Sequence, residues 1–198
     1  MVKTAGLLMC VVSVLAPRAT GRPVIAVAPV GKVSAQELSP LLPVLRETFG
    51  AEAGAAPAVP LPPAAFDARR RQHLSTALLD ALARARRPGW DRLLGVADVD
   101  LFVPELNFVF GEGDPRRGVA VFSLRRLRAE GNGAGTELFA RRAATEAIHE
   151  LGHSYGLGHC NDPHCVMWFS NSLAETDRKG TRFCPAHAEE LRRLTTRP

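Results

Sequence analysis

The stretch His149-Glu150-Leu-Gly-His153-Ser-Tyr-Gly156-Leu-Gly-His159 constrains this 198-residue chain more than any other feature. His149 and His153 are four residues apart, so on a helix their imidazoles share one face and reach a common ion. A helix carried on past His153 would aim a third ligand elsewhere. Gly156 removes the conflict, because a residue without Cβ takes the left-handed conformation at little cost and lets the chain turn back. His159 then supplies a third nitrogen and leaves a fourth position open. Three neutral histidines with an open position form a catalytic zinc arrangement, whereas structural zinc sites are closed. Glu150 is no ligand in this reading. Beside His149 at the rim of the same face, it is placed as general base toward water on the ion, whose pKa zinc lowers to about 7. A lone His-Glu-x-x-His arises by chance; Gly156 and His159 in register make coincidence remote.

A second cluster follows at once. Cys160 directly follows His159, Cys165 comes five residues later, and Cys184-Pro-Ala-His187 adds a C-x-x-H pair. Neighbours in an extended segment point to opposite sides, so His159 can face one ion while Cys160 faces away from it. Three cysteines and one histidine make a closed, tetrahedral site of the structural kind. The tail from Cys160 to Pro198 is too small for a core of its own, and a zinc worth on the order of 10 kcal/mol would dominate its folding. Two alternatives stay open at this level. One is a disulfide among these cysteines; the other is His164 in place of His187 as fourth ligand.

The rest of the chain reads as a single domain over residues 23–198, preceded by an extension. In residues 1–22, Lys3 and an apolar run from Ala5 to Ala16 have the length of a signal-peptide core, too short to span a bilayer. The alternative is an unstructured extension. Val24 to Gly31 reads as a buried strand, and Ser34 with Glu37 as a capping box opening a helix over Leu38, Leu41, Leu42 and Leu45, which Pro40 and Pro43 can break. Residues 51–65 form a connection enclosing a short strand. A helix is expected from Leu74 to Arg87, strands over Val96–Val103 and Val119–Leu124, and a short strand at Phe108–Gly111. A flexible loop follows over Ala129–Gly135, then a helix from Thr136 to Tyr155. Strands mixed with a few helices give a mixed α/β, or α+β, domain. The net charge of +5 comes from scattered arginines interleaved with acidic residues, and aromatics are only 6%, so no nucleic-acid partner is expected. Nor is stable membrane insertion.

These motifs resemble the archaemetzincins, a family of metzincin zinc metallopeptidases. The resemblance rests on His149-Glu-x-x-His153-x-x-Gly156-x-x-His159-Cys160-x-x-x-x-Cys165-x-Met167 followed by Cys184-x-x-His187. Asp98-Val-Asp-Leu-Phe-Val-Pro, Asn107-Phe-Val-Phe-Gly111 and Val121-Phe-Ser-Leu-x-Arg-Leu127 are similar to it as well, so it covers about residues 24–198. It implies a metzincin-like zincin with a twisted mixed sheet, an active-site helix beneath, and a small C-terminal part stapled by zinc. It implies two Zn2+ per chain, one catalytic and one structural, with Met167 packing its thioether under the three imidazoles. It also implies hydrolysis of peptide or protein substrates, as endo- or aminopeptidase, by a monomer. Substrate is expected in extended form on an edge strand, for which Val119–Leu124 is the candidate. Two departures stand out. The family usually ends in C-x-x-C where this chain has His187, itself a competent ligand. Family members are read as cytoplasmic, whereas the apolar start favours export. The competing reading is a zinc-containing peptide-binding protein of weak turnover, since Tyr155 is the only tyrosine and none follows Met167. An intact Glu150 argues against it.

Overall fold

The computed structural model describes residues 21–128 and 136–195. Strand β1 (Val24–Val30) is the apolar run after Pro23. Ser34 and Glu37 form the expected reciprocal capping box of a single-turn helix, α1 (Ala35–Leu38). Pro40 interrupts it, and α2 (Leu41–Phe49) starts afresh. Pro43 is harmless in the first turn of α2, where backbone N–H groups lack helical partners anyway. There follow β2 (Glu52–Ala55), β3 (Phe66–Asp67), β4 (Gln72–Leu74) and α3 (Ser75–Ala85). Next come β5 (Arg92–Ala97), β6 (Leu101–Phe102), β7 (Gly111–Asp114) and β8 (Val119–Ser123). The long α4 (Thr136–Tyr155), α5 (Leu173–Lys179) and α6 (Pro185–Thr195) complete the order.

Five strands form one sheet in the order β2-β1-β5-β8-β7. The first four run parallel, and β7 closes the edge antiparallel to β8, with Gly111 opposite Phe122 and Asp114 opposite Val119. Strands of a parallel sheet covered on both faces read as continuous apolar runs. The period of two nevertheless sorts their side chains. Ile25, Val27, Leu94, Val96, Ala120 and Phe122 pack against α2 and α4. Ala26, Ala28, Leu93, Val119 and Val121 pack against Leu78, Leu79 and Leu82 of α3. Strands β3, β4 and β6 form a separate three-stranded sheet. The C-terminal segment has no core of its own: Phe183 and Leu191 join the core under α4. A bidentate pair holds α5 to α4, with Arg142 Nε and Nη2 at 2.7 and 2.6 Å from the Asp177 carboxylate.

Three expectations change. Val96–Val103 is not one strand: β5 starts at Arg92, and the chain leaves the sheet after Ala97, where Asp98 and Asp100 face Arg128 and Arg126. Phe108–Gly111 contributes only a bridge from Val109 to Leu101 before β7 begins. The segment at Val119–Leu124 is not an edge strand. All five residues of β8 are buried between β5 and β7, so the free edge belongs to Gly111–Asp114. The expected loop at 129–135 and most of the 1–22 extension, with Cys10, lie outside the described residues. Among the described residues no helix is long and apolar enough to cross a membrane.

Gly95 lies in the middle of β5 under α3. A Cβ there would sit 2.6 Å from Leu82 Cδ1 and 2.9 Å from Val30 Cγ2. Gly95→Val therefore overpacks this face and is expected to cost about 1–3 kcal/mol. Urea unfolding checks this, as a lower midpoint at unchanged slope.

Candidate active site

Helix α4 carries His149, Glu150 and His153 on the face turned to β7. It ends as the sequence requires. Gly156 has φ 104°, and the N–H of Leu157 bonds back to Gly152 O at 3.0 Å. The reversal brings His159 onto the same cluster, with ring centroids 4.8 Å from His153 and 5.5 Å from His149. One ligand nitrogen from each of the three rings lies within 4.8 Å of the others. His149 and His153 present their Nε2 atoms to each other at 3.1 Å.

The remaining ring nitrogens show why this set suits a metal. His149 Nδ1 lies 2.7 Å from Val166 O, and His153 Nδ1 lies 2.8 Å from Leu157 O. A carbonyl only accepts, so both Nδ1 atoms carry the proton and both Nε2 lone pairs are free for an ion. Burial, aided by the nearby Lys179 ammonium, holds His149 well below the usual histidine range. Burial brings His153 down to about 4 and also lowers His159. Neutral imidazoles aimed at one point fit zinc.

Val166 belongs to the turn that carries Met167. That methionine is fully buried under α4, and a Cβ on Gly152 would lie 2.5 Å from its sulfur. The glycine of His-Glu-Leu-Gly-His is thus the space in which Met167 packs.

Glu150 is 4% exposed. Burial pushes its carboxyl well above the usual range, reinforced by the Glu146 and Glu112 charges and opposed by Lys179. It faces a cavity of about 260 Å³ whose walls include His149, His153, His159, Gly111, Glu112, Gly113, Leu106 and Phe169. Strand β7 approaches α4 so closely that a Cβ on Gly113 would lie 2.5 Å from Glu150 O and 2.6 Å from His153 Cβ. A Cβ on Gly111 would meet Glu150 Cγ at 2.5 Å.

The second predicted cluster also assembles. Cys160, Cys165, Cys184 and His187 place one ligand atom each within 4.8 Å of the others. Cys160 Sγ is 3.9 Å from Cys184 Sγ, Cys165 Sγ 3.9 Å from His187 Nδ1, and Cys184 Sγ 3.4 Å from the same nitrogen. A zinc tetrahedron with bonds of about 2.3 Å to sulfur and 2.0 Å to nitrogen has edges of roughly 3.6–3.8 Å. The spacing fits such a site and is far too long for a disulfide; the three cysteines are free. His164 stands apart from this group, and its backbone N–H bonds to Asp162 Oδ1 at 2.9 Å.

Sequence reasoning missed two parts of the site. Lys179, fully buried, lies 3.0 Å from Glu146 Oε1 and 3.4 Å from His149 Nδ1, while Thr176 donates to Glu146 at 3.2 Å. Glu146 stands one helical turn before Glu150, the signal that was available. Strand β7 was also missed; its signal is Gly111-Glu-Gly113, two small residues where a backbone must come close. Tyr155 has no place in the cleft. Buried and stacked on Phe49 with Arg92 4.0 Å above its ring, its hydroxyl is pushed up to about 12.

Known proteins share this geometry. The sequence profile of peptidase family M54 matches residues 58–193. The chain belongs to that family, and it is a zinc metallopeptidase of the archaemetzincin kind. It is 46% identical to the archaemetzincin of Methanopyrus kandleri over 133 residues, 67% of this chain and 73% of that protein. With the archaemetzincin of Pyrococcus furiosus it shares 41% identity over 172 residues, 82% and 89% of the two chains. The crystal structure of the Methanopyrus kandleri archaemetzincin superposes with a TM-score of 0.80 at 38% identity, covering 92% of this chain and all of that one. That of the Archaeoglobus fulgidus archaemetzincin, complexed with malonate, gives 0.73 at 36% identity over 84% of this chain and 99% of its own.

The fit of β7 against α4 generates a prediction. Gly113→Val must move the backbone at Glu150 and the Cβ of His153, which carries a metal nitrogen. Zinc affinity of the three-histidine group is expected to fall about 10–100-fold, measured by competition with a chromophoric chelator.

Proposed function

We propose that this archaemetzincin hydrolyses peptide bonds with Glu150 as the proton carrier, that His149, His153 and His159 hold the catalytic zinc, and that Cys160, Cys165, Cys184 and His187 hold a second, structural one. The observation that carries this reading is the placement of Glu150. A buried carboxylate with a raised proton affinity sits between three metal-facing imidazoles and a free sheet edge, in one cavity. Zinc, when bound, supplies an acidified water and polarises a carbonyl. Glu150 accepts a proton from that water and passes it to the amine that leaves. Its surroundings favour the protonated state needed in the second half: burial and the Glu146 charge raise its affinity, and Lys179 limits the rise. The unpaired side of Gly111–Asp114 offers backbone donors and acceptors to an extended peptide, a role first assigned to Val119–Leu124. Leu106 and Phe169, both exposed, flank the same cavity with apolar surface.

A second reading, slow turnover or peptide binding, is favoured by one observation: no tyrosine lines the cleft to donate to a developing oxyanion. The two readings separate in one experiment. Zinc-loaded full-length protein is incubated with a mixed peptide library, with Glu150→Gln alongside, and products are read by mass spectrometry. Cleavage is expected, lowered about 10²–10⁴-fold in Glu150→Gln. An equal product pattern in both proteins would remove Glu150 from the mechanism. No product from zinc-loaded wild type would favour the binding reading.

Elemental analysis tests the metal assignment separately. About two zinc ions per chain are expected from the two ligand groups. His187→Ala is expected to lose the second and His187→Cys to keep it, since thiolate and imidazole both complete a tetrahedral site. Full zinc content in His187→Ala would exclude His187 as a ligand.

A further inference from the structure

Beside the zinc cleft lies a larger cavity, of about 750 Å³, that the peptidase mechanism does not use. Phe108 and Phe110 wall both spaces, so a peptide leaving the cleft past the start of β7 enters this cavity directly. Its charge is one-sided. The wall carries three guanidinium groups, Arg125, Arg126 and Arg128, against one carboxylate, Asp100.

Two of the three arginines are already held. Arg126 is fixed in a fork on Asp100, with Nε and Nη2 at 2.5 and 2.7 Å, and lies 4.0 Å above the Phe108 ring. Arg128 is drawn to Glu37 at 2.5 Å and Asp98 at 3.4 Å, neither of which is part of the wall. Arg125 differs. Its backbone N–H is tied to Ser123 Oγ at 3.1 Å, directly after β8, so its position is set by the sheet. Its side chain is exposed and meets no carboxylate, carbonyl or ring among the described residues. A forked donor on a fixed backbone, next to a second pre-oriented guanidinium, is suited to bidentate capture of a carboxylate.

We propose that this cavity is a substrate subsite that takes a carboxylate, with Arg125 as its specificity-determining residue, so that the enzyme prefers peptides carrying negative charge on the side of the scissile bond reached past Phe110. The carboxylate has two possible sources, an acidic side chain or the free C-terminus of a short peptide. The inference rests on the peptidase reading for turnover, though not for binding.

The test uses zinc-loaded full-length protein and two series of peptide pairs. One replaces Glu by Gln at successive positions around the cleaved bond; the other compares a free C-terminus with its amide. Both changes remove charge and keep shape. Wild type is expected to favour the acid in one series, with a ratio of kcat/KM for acid over neutral partner on the order of tenfold. The series in which this appears identifies the source. Arg125→Ala is expected to bring the ratio close to one, and Arg125→Glu to reverse it. Arg84→Ala, a charge removed from exposed α3 on the opposite face of the sheet, keeps the wild-type ratio. Equal ratios in wild type and Arg125→Ala would overturn the proposal, as would an equal fall in Arg84→Ala. Binding of the same pairs to zinc-loaded Glu150→Gln, by calorimetry, repeats the comparison without turnover. An acid preference that Arg125→Ala abolishes there sustains the subsite even if the wild type cleaves nothing, and its absence overturns it.

Discussion

The hydrogen bond from His149 Nδ1 to Val166 O, at 2.7 Å, ties the two halves of the site together. It fixes the imidazole so that Nε2 faces the ion, and it anchors the turn that follows the second group of ligands. That turn is held from both sides. Cys160 N–H bonds to Met167 O at 2.9 Å, and Val166 N–H bonds to Arg182 O at 2.8 Å, next to the Cys184 segment. Because His159 and Cys160 are adjacent, whatever fixes one fixes the other. The cysteine group thus acts on catalysis indirectly, as the clamp that keeps the third histidine in place after the helix has ended. A tail of this length could not do so by apolar burial alone, since only a few of its residues, Phe183 and Leu191 among them, reach the core.

The close approach of β7 to α4 is the second constraint, and it follows from chemistry rather than from packing economy. An extended substrate pairing with a sheet edge keeps its carbonyls a strand's width from that edge, and the general base must reach the same line. Glycines at 111 and 113 let the edge descend onto the helix until Glu150 lies against the strand. The acidic residue between them is turned away and used structurally: Glu112 accepts from Ser75 and Thr76 at the start of α3, joining the edge to the opposite layer.

What could be read from the sequence was whatever is local. The metal ligands lie within runs whose spacing alone carries the geometry, and the Ser34–Glu37 box, the break at Pro40 and the stop at Gly156 are single-residue effects of backbone chemistry. What could not be read was set by partners distant in the chain. Gly111-Glu-Gly-Asp has poor strand propensity and becomes a strand because β8 pairs with it. Val119–Ser123 resembled an edge only by its place before α4; its complete burial shows otherwise, and an uninterrupted apolar run suits an interior strand better. The length of β5 was misjudged because Asp98 and Asp100 mimic strand alternation while serving as partners for arginines. Lys179 meets Glu146 across more than thirty residues, and no spacing rule joins them.

That buried pair repays a closer argument. Removing an ammonium and a carboxylate from water costs several kcal/mol per ion, and replacing such pairs by apolar residues is often neutral or stabilising. Lys179 and Glu146 are therefore poor candidates for stabilisers of the fold. Their effect on neighbours has a consistent sign. The Lys179 charge lowers the proton affinity of His149, His153 and His159, which keeps imidazoles in the neutral form that binds metal. Glu146, on the same helix face as Glu150, raises that carboxylate's affinity for a proton. Lys179 alone would depress Glu150 as well and make it a weaker base; Glu146 alone would draw protons onto the histidines. Held 3.0 Å apart, the two charges act as a dipole lying along the site, and the groups that must stay bare and the group that must pick up a proton are tuned in opposite directions by one pair.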